Sequence, residues 1–197
     1  GRAEMARLIF GADQKDGGEI YVNGDPVEIT NPAQAVALGI AYLSEDRKRH
    51  GLTLGLDLET NIALASFSQF LRSLAQVDTT KTRAAAERRV EDLDIRTPGV
   101  KQKARNLSGG NQQKVVIAKW LTAEMDILIF DEPTRGIDVG AKQEIYHLLN
   151  ELAAAGKSII MISSELPEIL RMSHRILVMC EGRVTGVLTS DEADQEK

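Results

Sequence analysis

Short apolar runs alternate along this chain with amphipathic helical patterns, and this alternation restricts the fold more than any other feature. The runs, each of four residues bounded by polar or turn residues, occupy 40–43, 127–130, 159–162 and 176–179. Such runs are typical of strands buried on both faces, as in a parallel sheet. Helical patterns with one apolar stripe occupy 112–122 and 141–155. The order of strands and helices predicts an α/β fold with a mostly parallel sheet.

The first thirty residues depart from this alternation. A helical pattern at 3–10 is followed by alternating apolar residues around an Asn23-Gly24 turn, which predicts a small antiparallel β piece near 18–30. The chain opens at Gly1 without an initiator methionine or a signal segment, already in a helical pattern. We therefore expect an N-terminally truncated chain, cut from something longer.

A second region without strand-like runs lies at 46–107. Within it, 79–93 has the apolar spacing of a helix. We therefore predict a helical sub-domain at 46–107 and a core built from 1–45 and 108–197.

Charge and apolar content exclude some functions. The chain has 29 acidic and 24 basic residues, and this acidic balance weighs against nucleic acid as a partner. No stretch approaches the roughly 18 apolar residues of a transmembrane helix. The one cysteine, Cys180, has no partner for an internal disulfide, which indicates a reducing compartment, and its place after an apolar run predicts packing in the core.

The run at 127–130 ends in two adjacent carboxylates, Asp131 and Glu132, followed by Pro133. Open α/β sheets bind their ligands at the carboxyl ends of strands. In nucleotide hydrolases the first acid of such a pair holds Mg²⁺ through water, and the second orients or deprotonates the attacking water. The alternative is a strand that ends in a solvated acidic turn, and the pair alone does not decide between the two.

A second motif, Ser108-Gly109-Gly110, leads directly into the helix at 112–122. Ser108 suits an N-cap, but each glycine in a first turn costs about 1 kcal/mol relative to alanine, so a purely structural helix start rarely uses two. We expect something to approach this backbone closely. Free N–H groups, a hydroxyl and the helix dipole together suit a phosphate. The alternative is a glycine-rich cap without a ligand.

Three segments in this order and spacing, 107–112, 127–134 and 136–138, resemble the signature motif, the Walker B motif and the D-loop of ATP-binding-cassette (ABC) ATPases. The resemblance covers essentially the whole chain. Further segments are similar to the second cassette of the fused, two-cassette ATPases of bacterial monosaccharide importers of the ribose, galactose and xylose type; they are 44–48, 111–114, 133–140 and 163–168.

The resemblance implies a P-loop NTPase-like cassette with ATP and Mg²⁺ as cofactors. It implies that Glu132 and Asp131 are catalytic and that Asp131 also holds the metal. The residues it implies in nucleotide binding or at the cassette interface are Arg2, Glu45, Ser108, Gly109, Gly110, Gln112, Asp138 and Ser164.

The chain departs from the family pattern in the segments that would hold its own nucleotide, whereas the signature motif matches. Where the phosphate loop should end in Gly-Lys-Ser/Thr, the chain has Gly1-Arg2-Ala3, so Arg2 stands in place of the lysine and Ala3 has no hydroxyl for Mg²⁺. Glu45 stands where a Q-loop glutamine is expected, and Ser164 lies where a switch histidine is expected. The three histidines lack ligand spacing, which favours ordinary surface or packing roles for His50, His147 and His174.

This asymmetry, joined to the dimer that the resemblance implies, leads to a specific expectation. An ABC dimer holds ATP between the phosphate loop of one cassette and the signature motif of the other. We therefore expect the 108–110 segment to act in trans on ATP held by an N-terminal cassette of the same polypeptide. Arg2, Asp131 and Glu132 would line a second site of weak or absent turnover, with Asp138 in the contact across the interface.

The resemblance also implies the setting of the protein. The expected partners are the N-terminal cassette, membrane permease subunits and, indirectly, a periplasmic sugar-binding protein, with no nucleic acid. The expected location is peripheral, at the cytoplasmic face of the bacterial inner membrane.

The charged run at 45–49 has two interpretations. It is either a solvated loop or, together with the leucines at 52–56, part of the groove that receives the permease. Two alternatives to the importer also stay open. One is a non-catalytic nucleotide-binding or docking module. The other is a soluble ABC ATPase of nucleic-acid repair or translation, which the acidic charge and the lack of a long coiled-coil insert disfavour.

Overall fold

The computed structural model describes residues 1–72 and 76–193, and these residues form two compact units. The sheet unit comprises 1–42, 126–133 and the described residues from 150 onward. The helical unit comprises the described residues of 43–125 together with 134–149. The boundaries that we derived from the sequence, with a sub-domain at 46–107, stay a prediction.

Seven α-helices and seven strands are described in these residues. In chain order they are α1 (Arg2–Phe10), β1 (Ile20–Val22), β2 (Asp25–Val27), α2 (Pro32–Ala37), β3 (Ile40–Leu43), α3 (Leu58–Ala63), α4 (Thr79–Asp92), α5 (Gly109–Thr122), β4 (Ile127–Asp131), α6 (Val139–Ala154), β5 (Ser158–Ile162), α7 (Leu166–Met172), β6 (Arg175–Cys180) and β7 (Arg183–Thr189). Short helical turns lie at Arg47–Gly51, Leu64–Phe70 and Ala104–Asn106. The predicted helices at 3–10, 79–93, 112–122 and 141–155 correspond to α1, α4, α5 and α6.

A three-stranded sheet in the order β3, β4, β5 forms the centre of the sheet unit. β4 and β5 run parallel, with Leu128 opposite Ile159 and Phe130 opposite Met161. The middle strand is buried on both faces, since Leu128, Ile129 and Phe130 are at most 1% exposed. The prediction of a fully buried strand is therefore confirmed for β4, whose C-terminal end delivers the adjacent carboxylates.

Two of the predicted strands are less buried than their apolar sequence indicated. β5 exposes alternate side chains, and Ile160 is 39% exposed. β6 does not join the parallel sheet but pairs antiparallel with β7, and Leu177 is 48% exposed. Here the prediction of a buried parallel strand was wrong.

The turn that follows β6 explains its antiparallel pairing with β7. Glu181 and Gly182 both have positive φ, at 49° and 76°, which is the backbone of a two-residue hairpin turn. This turn returns the chain immediately as β7, alongside β6. Cys180 lies at the end of this hairpin strand and is exposed, so its predicted place in the core was also wrong.

The antiparallel piece near the N-terminus is confirmed. β1 and β2 pair with Ile20 opposite Val27. Asn23 and Gly24, between them, have φ of 55° and 90°. Asparagine and glycine are the residues that adopt this left-handed backbone at least cost, which explains why the hairpin was visible in the sequence.

The helical unit is built around α5. Val115, Val116 and Ile117 on this helix are at most 2% exposed, and α3 packs against both α4 and α5. Side chains cap the helices of this unit at their first turns; Asp57, Asp78 and Ser108, for example, accept backbone N–H groups of α3, α4 and α5. Among the described residues of the chain, no helix is both long and apolar enough to span a bilayer.

Candidate functional site

The first group of predicted residues lies in the sheet unit, at the C-terminal end of β4. Asp131 is 3% exposed, and its Oδ2 accepts a 2.6 Å hydrogen bond from the hydroxyl of Tyr42 on the neighbouring strand β3. Sequence reasoning missed Tyr42, although it is the one residue with a polar atom in the run at 40–43. A short bond to a buried carboxylate fixes the orientation of that carboxylate.

Glu132 follows in a strained conformation. Its φ is 50°, in the left-handed region that non-glycine residues rarely adopt, and its N–H donates to the carbonyl of Ile162 at 2.8 Å. This backbone turns the Glu132 side chain away from the direction of the strand. A strained residue at a strand end is frequent where a side chain has a functional position.

Both carboxylate oxygens of Glu132 have partners. Oε1 accepts from Nη2 of Arg2 at 3.1 Å, and Oε2 accepts from the hydroxyl of Ser164 at 3.1 Å. The Glu132 side chain is only 11% exposed, whereas that of Arg2 is 51% exposed. The structure therefore brings Arg2 and Ser164 onto Glu132, directly after Asp131; Arg2, Asp131 and Glu132 had been expected to line one site.

The second group lies in the helical unit, at the N-terminus of α5. Ser108 caps this helix, and its Oγ accepts from the backbone N–H of Asn111 at 3.4 Å and from the Asn111 side chain at 2.9 Å. Ser108 itself is exposed. The first N–H groups of a helix have no partner within the helix, so this end can receive an acceptor from outside.

The two glycines of this group face protein atoms. A Cβ on Gly109 would lie 2.8 Å from Nη2 of Arg47, and a Cβ on Gly110 would lie 2.8 Å from Cβ of Ala141. The close approach that we expected at this backbone is thus already made by two residues of the chain itself. Packing alone accounts for the glycines, and their contact with a nucleotide stays a prediction.

Gln112, three residues further along α5 than Gly109, points into the protein. It is 4% exposed, and its Nε2 donates to the carbonyls of Ala104 and Leu107 at 3.2 and 3.3 Å. The side chain of Gln112 thereby fixes the loop that precedes Ser108. Its direct role in nucleotide binding stays a prediction.

A polar cleft of about 160 Å³ opens beside Ser108. It is lined by Arg96, Ser108, Gly110, Asn111, Asp138, Gly140, Ala141 and Glu144. Asp138 sits at the start of α6, where its Oδ1 accepts from the N–H of Ala141 at 2.9 Å. The segment 108–110 and the start of α6 therefore line one cleft within the helical unit.

An ion cluster that sequence reasoning missed forms one wall of this cleft. Glu144 pairs with Arg96 and with Lys114, each at 2.9 Å. The hydrogen bond from Lys114, together with its charge, lowers the pKa of Glu144. Lys114 is 4% exposed, and its position in a run of polar residues gave no signal that it would be buried.

Glu45, expected near the nucleotide, forms an ion pair with Arg135 in the helical unit. Both side chains are largely exposed. Arg47, two residues on, donates to backbone carbonyls of the 135–136 loop. The charged run at 45–49 is therefore partly engaged in contacts within its own unit.

Within residues 1–72 and 76–193, no three His, Cys, Asp or Glu side chains gather as a metal centre. His50, His147 and His174 are all exposed. The role of Asp131 in holding a metal stays a prediction.

Comparison with solved structures defines the class of the fold. The chain superposes on the ADP conformation of an ATP-binding cassette of an ABC transporter with a TM-score of 0.81 at 21% identity, covering 98% of this chain and 77% of that one. The fold is therefore that of an ABC cassette, with a parallel sheet, antiparallel strands and a set of helices.

The family follows from the sequence comparisons. The family model for the ABC transporter matches residues 1–135, and the chain belongs to the ABC transporter family. It is 64% identical over 197 residues to a putative ribose/galactose/methyl galactoside import ATP-binding protein of Burkholderia ambifaria, covering 100% of this chain and 38% of that protein. It is 54% identical over 198 residues to a xylose import ATP-binding protein of Thermoanaerobacter pseudethanolicus, covering 100% of this chain and 39% of that protein. The chain thus spans well under half the length of these relatives.

Proposed function

We propose that this chain is the C-terminal ATP-binding cassette of a two-cassette ABC importer that couples ATP hydrolysis to monosaccharide uptake. Two observations support the proposal. Relatives at 64% and 54% identity are named as import ATP-binding proteins for ribose, galactosides or xylose. The chain aligns over its whole length with 38–39% of those proteins, a share that leaves room for a second cassette.

Within this importer, the 108–110 segment acts in trans on ATP held by the N-terminal cassette. The exposed serine at the start of a helix of 14 residues supports this role, because the N–H groups and dipole there favour a phosphate oxygen. Asp138, which lines the same cleft, serves the contact with the other cassette. Glu45, through Arg135, holds the neighbouring loop.

The chain's own site turns over ATP weakly or not at all. The observation that carries this statement is the environment of Glu132, whose two oxygens are taken by Arg2 and Ser164. A general base must be free to accept a proton from water.

Mg²⁺ accompanies ATP in this proposal, and Asp131 is the residue that would hold it. The donor set fits such an ion poorly, because the Asp131 carboxylate already accepts from Tyr42, the Glu132 oxygens accept from Arg2 and Ser164, and residue 3 has no hydroxyl. When bound, the metal would neutralise phosphate charge. This poor fit agrees with weak or absent turnover.

The partners follow from the same assignment. They are the N-terminal cassette of the same polypeptide, the membrane permease subunits and, indirectly, a periplasmic sugar-binding protein, with no nucleic acid involved. The protein acts peripherally at the cytoplasmic face of the bacterial inner membrane.

The test compares two substitutions in the full two-cassette polypeptide. Ser108→Arg should abolish ATP hydrolysis, because a bulky cation would occupy the phosphate position at the start of α5. Glu132→Gln should change the rate much less. Gln143→Arg, at an exposed position of α6, adds the same charge in the helical unit and serves as the control. Steady-state phosphate release measures all three.

The opposite ranking would mean that this cassette hydrolyses its own ATP and that the assignment in trans is wrong. If neither substitution changed hydrolysis, the chain would instead be a non-catalytic binding or docking module.

A further inference from the structure

Arg47 differs from its neighbours in the charged run. Asp46 caps the turn at Arg47–Gly51, since its Oδ1 accepts from the N–H of Arg49 at 3.1 Å. Lys48, Arg49 and His50 on this turn are exposed, whereas Arg47 is partly buried. One side of this short turn therefore faces solvent, and the other side faces the rest of the helical unit.

The guanidinium of Arg47 joins two segments that are distant in sequence. Nη1 donates to the carbonyl of Arg135 at 3.0 Å, and Nη2 donates to the carbonyl of Gly136 at 3.4 Å. The same Nη2 lies against Gly109, at 2.8 Å from where a Cβ would be. A side chain larger than hydrogen at position 109 would displace it. Glycine at the first position of α5 therefore makes room for this guanidinium.

A second attachment holds the other end of the turn. A Cβ on Gly51 would lie 3.0 Å from a methyl group of Val116, and Nζ of Lys119 donates to the carbonyl of Gly51 at 2.8 Å. The segment Arg47–Gly51 therefore lies against Gly109, the first residue of α5. It contacts the same helix again at Val116 and Lys119, about two helical turns further along. Two attachments on one helix resist rotation of the turn as well as translation.

We propose that Arg47 is a positioning residue that holds the signature segment, Ser108 to Gly110, in register with the 135–138 loop. The proposal deepens the proposed function and rests on it, since the segment positioned is the one that acts in trans. Lysine cannot replace arginine fully here, because a single ammonium does not present two N–H groups at the spacing of two successive carbonyls.

The mechanism of this positioning is local. Arg47 satisfies carbonyls in a loop whose Gly136 has a φ of 66°, and by doing so it orders the segment that leads into Asp138. Loss of the guanidinium would leave the start of α5 to meet this loop through close packing, with Gly109 beside the carbonyl of Gly136 and Gly110 beside Ile137. Misplacement of a positioned group by a fraction of an ångström lowers kcat without a matching change in substrate affinity.

The experiment uses the full two-cassette polypeptide with Arg47→Met, which keeps an unbranched apolar stem and removes the guanidinium, and Arg47→Lys. The control is Arg88→Met, an exposed arginine on α4 of the same unit. Arg47→Met should lower kcat for ATP hydrolysis about tenfold with KM for ATP unchanged, since ATP is held mainly by the other cassette. Arg47→Lys should recover part of kcat, and Arg88→Met should behave as the unmodified protein.

A second readout does not depend on hydrolysis. The N–H groups of Gln112 and Ile137 donate to the carbonyls of Ser108 and Thr134 at 2.9 and 3.2 Å, so their hydrogen exchange reports the order of both segments. Arg47→Met should speed exchange at these two amides about fivefold or more and leave α4 unchanged. Unchanged exchange at both amides, or the same effect from Arg88→Met, would overturn the proposal.

The two hypotheses fail separately. If Ser108→Arg left hydrolysis intact while Arg47→Met still sped exchange at Gln112 and Ile137, the proposed function would fail and the positioning by Arg47 would stand. If Ser108→Arg abolished hydrolysis while Arg47→Met changed neither kcat nor exchange, the positioning role would be wrong and the proposed function would stand.

Discussion

Gly110 illustrates, at the scale of a single residue, how one amino acid can have two explanations. From the sequence, glycine in a first helical turn indicated the approach of a ligand. In the structure, Ala141 of the next helix makes that approach, with its Cβ 2.8 Å from where a Cβ of residue 110 would be. The contact is between positions close to the backbone, so a rotamer change cannot relieve it.

Gly110→Ala should therefore destabilise the protein. The added methyl group gains about 1 kcal/mol in helix propensity, but overpacking costs about 1–3 kcal/mol, so we expect a net loss of about 1 kcal/mol. Urea unfolding measures the change. Gly140→Ala is the matched control, because its Cβ would make only an ordinary 3.4 Å contact with Asp138.

A double variant tests the physical cause. Ala141→Gly restores the lost space, so Gly110→Ala combined with Ala141→Gly should be more stable than the sum of the single changes predicts. Strictly additive effects would show that the contact between residues 110 and 141 does not limit this position.

At the scale of elements, α5 combines several roles along one face. Its first turn carries the signature segment, and Lys119, near its other end, reaches the carbonyl of Gly51 at 2.8 Å and lies 4.9 Å from the ring centre of Trp120. Burial lowers the pKa of Lys119 from 10.5 to about 8. Keeping this ammonium charged in the folded protein therefore costs free energy, because water would solvate it better.

This lowered pKa predicts a pH dependence of stability with a definite sign. Below pH 8 Lys119 is protonated in both states; between pH 8 and 10.5 the folded protein releases the proton while the unfolded chain keeps it. Since the unfolded state then binds more protons, stability due to Lys119 rises with pH in that window. The free energy of unfolding, relative to that of Lys119→Met, should rise by about 2 kcal/mol between about pH 7.5 and 9.5.

Urea unfolding of both proteins at the two pH values measures this difference, and other titrating groups cancel in it. A difference that stayed constant with pH would mean that Lys119 keeps its ordinary pKa in the folded protein.

Elements with local signals were predictable from the sequence, and those fixed by a single turn or by distant partners were not. β4 follows from its continuous apolar run, α5 from its apolar periodicity, and the first hairpin from Asn23-Gly24. The second hairpin was missed because glutamate, unlike asparagine, is not a typical residue of such turns, although Glu181 adopts the same left-handed backbone.

In the candidate site, adjacent carboxylates and a capped glycine segment were visible because their residues are consecutive. No local pattern indicated the hydrogen bond between Glu132 and Arg2, which are 130 positions apart; only the family resemblance placed the two residues in one site. The inward position of Arg47 was also hidden, because charge in a run normally indicates solvent exposure.

At the scale of the whole molecule, the exposed part of the charged turn is the side available to a partner. Arg47 is committed to its own unit, which leaves Lys48 and Arg49 as the basic side chains exposed to solvent on this turn. If the permease docks here, charge reversal at these two positions should weaken docking and leave nucleotide binding unchanged.

Lys48→Glu combined with Arg49→Glu, made in the full polypeptide, should reduce co-sedimentation with permease-bearing vesicles about threefold or more at low salt. The reduction should shrink at high salt, because exposed charges are screened. Arg88→Glu, on α4, should sediment as the unmodified protein. If the double variant sedimented with the vesicles as strongly as the unmodified protein, the turn would be a solvated loop that does not contact the permease.

Cys180 offers a practical consequence for studies of motion. It is the one cysteine of these 197 residues, and it is exposed at the end of β6, in the hairpin of the sheet unit. A maleimide fluorophore or a nitroxide would attach at this single position of the chain without any substitution. A second label on an engineered cysteine of α4 would then give the separation of the two units in each nucleotide state by direct spectroscopic measurement.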